Sequence, residues 1–118
     1  MKKYAVFLTD TAQRDLLKAK SYISHSLKNP RAADALIELV GAALDSLEDF
    51  PARQPLVRDE VLASWGVRVL PVKKYLLFYV LHEKTQRVYA VRFLYGKSNW
   101  RALLGDIFSG EISREKAD

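Results

Sequence analysis

Three runs rich in β-branched and aromatic residues lie almost end to end between residues 67 and 95. The first spans Val67 to Val72, the second Tyr75 to Leu81 and the third Arg87 to Tyr95. Lys73-Lys74 joins the first pair, and the turn-like Glu83-Lys84-Thr85-Gln86 lies between the second and third. A crossover between parallel strands needs about a dozen residues or more, so these three strands can only be antiparallel neighbours. That meander limits everything upstream to elements able to cover its faces.

Upstream, Tyr4 to Leu8 reads as a short strand, ended by Thr9-Asp10-Thr11, any of which can cap a helix. From Ala12 onward, Leu16, Ala19, Ile23 and Leu27 recur at steps of three and four, one apolar face of an amphipathic helix. Asn29-Pro30 stops that helix and starts another, with Asn at the cap and Pro in the first turn. Ala33, Leu36, Ile37, Val40, Leu44 and Leu47 form the second stripe, and Phe50-Pro51 ends it. The two helices are expected to form an antiparallel hairpin. Residues 52–64 read as a long irregular loop in which Asp59-Glu60 pin to Arg58 or Arg68, with Trp65 anchoring it on the core. A short helix is expected from about Trp100 to Phe108, followed by a polar tail over 110–118.

The expected fold is therefore α+β. A helical hairpin packs on one face of a small antiparallel sheet in the order β-α-α-β-β-β, with a short C-terminal helix, and the other face is left open. Along the third run Tyr89, Val91, Phe93 and Tyr95 share one face by alternation, while Arg92 falls on the other with Ala90 and Leu94. An arginine buried without a partner costs several kcal/mol, roughly, which places Arg92 on the open face. Residues 1–109 form one domain, consistent with a chain of 118 residues.

Composition excludes more than it selects. The chain has no cysteine, hence no disulfide framework and no thiolate chemistry, as expected of a cytoplasmic protein. The apolar stretch near the N-terminus turns polar after five residues, too short for a signal-peptide core, and no run approaches a membrane span. His25 and His82 have no further ligand at useful spacing, so neither metal nor cofactor is expected. The net charge of +5 is unevenly placed. Residues 1–51 balance seven Lys/Arg against seven Asp/Glu, whereas residues 52–101 hold ten against three, a net of +7. The strands carry the positive charge, which suits a polyanion or an acidic protein segment, or simply a solvated basic surface.

Several segments in this order resemble the RelE/ParE superfamily of toxins from bacterial type II toxin–antitoxin modules. They are Leu8-Thr-Asp-Thr-Ala-Gln-Arg-Asp-Leu16, Asn29-Pro-Arg-Ala-Ala33, Leu47-Glu-Asp-Phe-Pro51, Gly66-Val-Arg-Val-Leu-Pro-Val72, Tyr75-Leu-Leu-Phe-Tyr79 and Val91-Arg-Phe-Leu-Tyr-Gly96. The resemblance implies the fold deduced above, a cognate antitoxin as partner, and operator DNA engaged only through that antitoxin. An antitoxin's amphipathic helix and acidic extended segment would cover the hairpin and the basic sheet.

The superfamily divides by target. Its ribosome-dependent endoribonucleases carry an arginine at the position that is Leu76 here, and another near Ser98. Gly66, Arg68, Leu70, Pro71, Val72, Phe78 and Tyr79 fit the ParE-like form, whose studied members poison DNA gyrase. The resemblance thus leans towards a toxin that acts by binding, with cleavage of mRNA at the ribosome as the alternative. Cleavage would need a base, an acid and cations on the phosphate, for which Arg92, Tyr95, Lys97 and Arg101 are the candidates. For binding target or antitoxin the candidates are Arg58, Arg68, Lys73, Lys74, Tyr75 and Trp100.

Overall fold

A computed structural model describes residues 3–105, so the expected tail at 110–118 and the end of the C-terminal helix lie outside the described residues. The strands are β1 (Ala5–Leu8), β2 (Arg68–Val72), β3 (Tyr75–His82) and β4 (Arg87–Tyr95). The helices are α1 (Asp10–Ser21), α2 (Pro30–Ser46), a short α3 (Glu60–Ser64) and α4, described over 100–105. A π-helical turn, Tyr22–Ser26, prolongs α1, and a 3-10 turn, Pro51–Arg53, follows α2.

The helix starts follow from local chemistry. Thr9 Oγ1 accepts the Ala12 N–H at 3.1 Å and donates to the Val91 carbonyl, so one hydroxyl both caps α1 and ties it to the sheet. Asn29 Oδ1 accepts the Ala32 N–H at 3.1 Å with Pro30 in the first turn of α2. Asp59 caps α3 in the same way, through the Leu62 N–H at 3.1 Å. Asp59 is therefore a helix cap rather than a pin on Arg58 or Arg68, and residues 52–64 are more ordered than the irregular loop expected. Gly66, at φ 80, makes the left-handed step from α3 into β2.

The sheet order is β1-β4-β3-β2. The three-stranded meander is antiparallel as expected, and β1 joins it in parallel alongside β4. Alternation along β3 divides the core. Leu77 and Tyr79 face the hairpin with Leu36, Val40 and Leu47, whereas Phe78 and Val80 face the opposite side with Val57, Leu62, Val67 and Leu104. That second face is thus largely covered by α3, the chain around it and α4, not left open. Trp65 packs against this second cluster, anchoring the segment as expected. Each of these large side chains, fully buried, contributes about 1.5–3 kcal/mol.

The period in β4 fails at one point. Phe78 pairs with Arg92 while its neighbour Tyr79 pairs with Ala90, leaving Val91 as a bulge. Val88, Ala90 and Phe93 consequently all face the hairpin, while Val91 and Leu94 face away. A strict two-residue alternation cannot produce that set. The bulge is closed from outside by Asp15 of α1, whose Oδ2 accepts the Phe93 N–H at 3.0 Å.

Candidate functional site

A groove of about 740 Å³ runs between the end of α1 and the end of the sheet where β3 begins and β4 finishes. Tyr22, Ile23 and Leu27 line one side of it and Tyr75, Tyr95 and Leu103 the other. A second, almost wholly apolar hollow of about 360 Å³ shares Ile23, Lys74 and Tyr75 and extends along α2 past Ala35 and Leu39. The residues shared by the two hollows make them lobes of one trough across the hairpin. Its lining is apolar but far from covered: Tyr22 is 54% exposed, Leu27 56% and Leu39 40%. Exposed large apolar side chains contiguous in a concavity mark an interaction surface.

The π-helical turn accounts for part of this geometry. Leu27 donates its N–H to the Tyr22 carbonyl, five residues back, which widens the helix and shifts the apolar stripe of α1. Ile23, partly buried, packs against the hairpin-side core and also lines the trough, whereas Leu27, on the same helical stripe, is exposed along it. Tyr75 forms its floor, stacked on Phe93 with ring centroids 4.9 Å apart and edge-on to Tyr95 at 5.7 Å. Burial pushes the Tyr75 phenol above its ordinary value, and Tyr22 and Tyr95 nearby add to the rise. Lys18 and Lys74 line the larger lobe; Lys73 and Lys74 line the smaller one. The trough therefore offers an apolar centre and a cationic border.

Arg92 does not lie free on an open face. Its Nε and Nη2 donate to Asp15 Oδ2 and Oδ1 at 2.6 and 2.9 Å, a two-pronged pair in which Asp15 is only 7% exposed. The premise that Arg92 lacked a buried partner is what misplaced it. Asp15 stands on the apolar side of α1 among Ala12, Leu16 and Ala19, and that position was the available signal. A carboxylate on a buried stripe calls for a cation across from it.

The other candidates disperse. Tyr95 lines the trough, on the hairpin side. Arg101 lies over the Trp100 ring at 4.4 Å and reaches Asp59 at 3.8 Å, and Trp100 packs on Phe78 in the second cluster, on the far side of the sheet. Leu76 packs against that same cluster. Lys97 is exposed beyond the end of β4. Arg68 is occupied in structure, donating from Nη1 to the carbonyls of Ala52 and Gln54 at 3.1 and 2.6 Å. Arg58 is exposed on the segment before α3, and Lys73, Lys74 and Tyr75 come together at the trough. His25 is exposed on the π turn, while His82 meets Tyr89 edge-on at 5.3 Å. Among the described residues no three His, Cys, Asp or Glu side chains gather to hold a metal, and no helix is long and apolar enough to cross a membrane.

Comparison with known proteins bears on this arrangement. The fold is similar to that in the chromosomal ParDE toxin–antitoxin system from P. aeruginosa, with a TM-score of 0.64 at 16% identity, over 79% of this chain and 96% of that one. It is also similar to the toxin–antitoxin complex RelBE2 from Mycobacterium tuberculosis, with a TM-score of 0.55 at 30% identity, over 80% of this chain and 93% of that one. No curated protein sequence matches the chain. The family model of the ParE toxin of the type II toxin–antitoxin system parDE matches residues 6–100, nearly the whole described fold. The chain belongs to the ParE toxin family of type II toxin–antitoxin systems.

Proposed function

We propose that this chain arrests growth by binding an essential target, with DNA gyrase the target its family resemblance implies, and that a cognate antitoxin neutralises it from the trough. The observation that supports binding over RNA cleavage is the dispersal of the candidate catalytic groups. Arg92 is tied to Asp15 on the hairpin side, and Arg101 sits with Trp100 and Asp59 on the other. A phosphate in flight needs its acid, base and cations within hydrogen-bond reach of one another. Arg92 and Tyr95 share the hairpin-side groove, but Arg92 is spent on Asp15 and Arg101 lies across the sheet from both, which favours binding. Leu76, where the ribonucleases place an arginine, packs with the apolar second cluster.

The antitoxin's chemistry follows from the trough. An amphipathic helix with large apolar residues on one face fits the two lobes, and carboxylates at its margins meet Lys18, Lys73 and Lys74. Binding of that kind buries the exposed Tyr22, Leu27 and Leu39.

Two assays on the purified chain separate the readings. With gyrase and relaxed plasmid, loss of supercoiling or gyrase-dependent DNA breaks are expected. With translating ribosomes and mRNA, no cleavage is expected. Site-specific mRNA breaks that disappear in Lys97→Ala would replace the binding mechanism with the ribonuclease one.

A further inference from the structure

The turn that leaves α2 carries three unfavourable features within two residues. Phe50 adopts φ 53 and ψ 54, the left-handed region that a bulky side chain rarely occupies. The residue is 69% exposed, the most exposed large apolar residue among those described. Next to it, Asp49 Oδ1 is buried with no hydrogen-bond partner among the described residues. Glycine or asparagine at position 50 would remove the backbone strain, and any polar residue would remove the exposure.

The surrounding structure holds this conformation rather than relieving it. Tyr79 donates its hydroxyl to the Pro51 carbonyl, and Arg68 grips the carbonyls of Ala52 and Gln54. Tyr79 and Arg68 are direct cross-strand partners on β3 and β2, so two adjacent rigid strands hold one turn. The Arg53 N–H closes the turn onto the Phe50 carbonyl at 3.0 Å. Strain that a scaffold fixes in place, at an exposed aromatic, is characteristic of a presented binding group.

We infer that Phe50 is the aromatic anchor by which this toxin engages its target protein, at a surface separate from the antitoxin trough. Tyr79 is four residues along β3 from Tyr75, roughly 13 Å at strand rise. The Glu48 carbonyl accepts the Tyr4 N–H just before β1, so the anchor stands apart from the floor of the trough. The partner's chemistry follows from the neighbours. Of the carboxylates before the turn, Asp49 has a buried oxygen and Glu48 pairs with Lys3, whereas Arg53 and Arg58 after it are exposed and Leu56 is 42% exposed. The matching surface is an apolar socket with acidic residues at its rim, on a folded protein. Phe50 has this role only in a chain that acts as a growth-arresting toxin, the reading given above.

The decisive variant is Phe50→Gly, which relaxes the backbone as it deletes the ring. It is expected to melt at or above the temperature of the parent chain and to bind the antitoxin unchanged. Its target binding weakens about thirtyfold, the loss typical of a hot-spot residue, and its induction without antitoxin no longer arrests growth. Phe50→Tyr keeps the ring and is expected to retain arrest. Full growth arrest by the folded Phe50→Gly chain would overturn the assignment while leaving the toxin reading intact. So would a parallel loss of antitoxin affinity, or a marked fall in melting temperature, either of which would give the ring another role. A parent chain that fails to arrest growth would instead remove the toxin reading itself.

Discussion

The Asp15–Arg92 pair ties α1 to β4, and Asp15→Ala tests how much the packing depends on it. The carboxylate accepts three hydrogen bonds, from Arg92 Nε at 2.6 Å, Arg92 Nη2 at 2.9 Å and the Phe93 N–H at 3.0 Å. Removing it leaves a guanidinium whose side chain is 12% exposed facing a cavity, with a backbone N–H at the bulge unpaired. Breaking a buried pair from one side costs about 3–5 kcal/mol. For a domain of this size that lowers the melting temperature by roughly 12–20 °C. The double variant Asp15→Leu with Arg92→Met removes both charges at similar volume and is expected to recover part of the loss, since desolvation largely offsets the attraction within the pair while the Phe93 N–H stays unpaired. Thermal and urea denaturation of the parent, Asp15→Leu, Arg92→Met and the double close the cycle. An Asp15→Ala chain within about 1 kcal/mol of the parent would refute the claim that Arg92 is buried against Asp15. A double variant no better than Asp15→Ala would refute the charge argument and leave only packing.

Three further outcomes are expected. Burial raises the Tyr79 phenol to about 12, with Arg68 and Arg53 partly opposing the rise. The unfolded chain therefore ionises first, and the contribution of Tyr79, complete below about pH 10, is lost between about pH 10 and 12 at about 1.4 kcal/mol per pH unit. Tyr79→Phe should abolish that decline and cost about 1 kcal/mol at neutral pH through the lost bond to Pro51, as read by denaturation across pH. Asn29→Ala removes the cap on α2 and should destabilise by about 1 kcal/mol without altering target binding. Leu39→Asp puts a carboxylate in the apolar lobe of the trough beside Lys73, and titration calorimetry should show antitoxin affinity down at least about tenfold with the fold intact.

Much of the architecture was legible in the residue order because it is set by local rules. Connections of a few residues oblige the β2–β3–β4 strands to be antiparallel, whatever packs on them. Asn29-Pro30 and the stripes at helical spacing define the hairpin before any contact is considered. Family membership was legible too, since Gly66, Arg68, Pro71, Phe78 and Tyr79 lie within contiguous segments. Lys73, Lys74 and Tyr75 are adjacent in the chain at a basic turn, so their place together on the trough follows from sequence as well.

Other features are decided only in three dimensions. One extra residue at Val91 changes which side chains of β4 face the hairpin, and no pattern within β4 announces it, because the Phe93 N–H left by the bulge is satisfied by Asp15, 78 residues away. Burial of Arg92 depends on that same distant carboxylate. Arg68, a candidate for binding target or antitoxin, donates from Nη1 to two carbonyls of the turn it holds. Sequence alone determined the element types, their order and the concentration of positive charge in the sheet, because propensity, spacing and loop length act over a few residues. The tertiary structure decided which cations stay free, where the trough opens and which turn is held under strain, because each depends on a partner brought close by the fold and not by the chain.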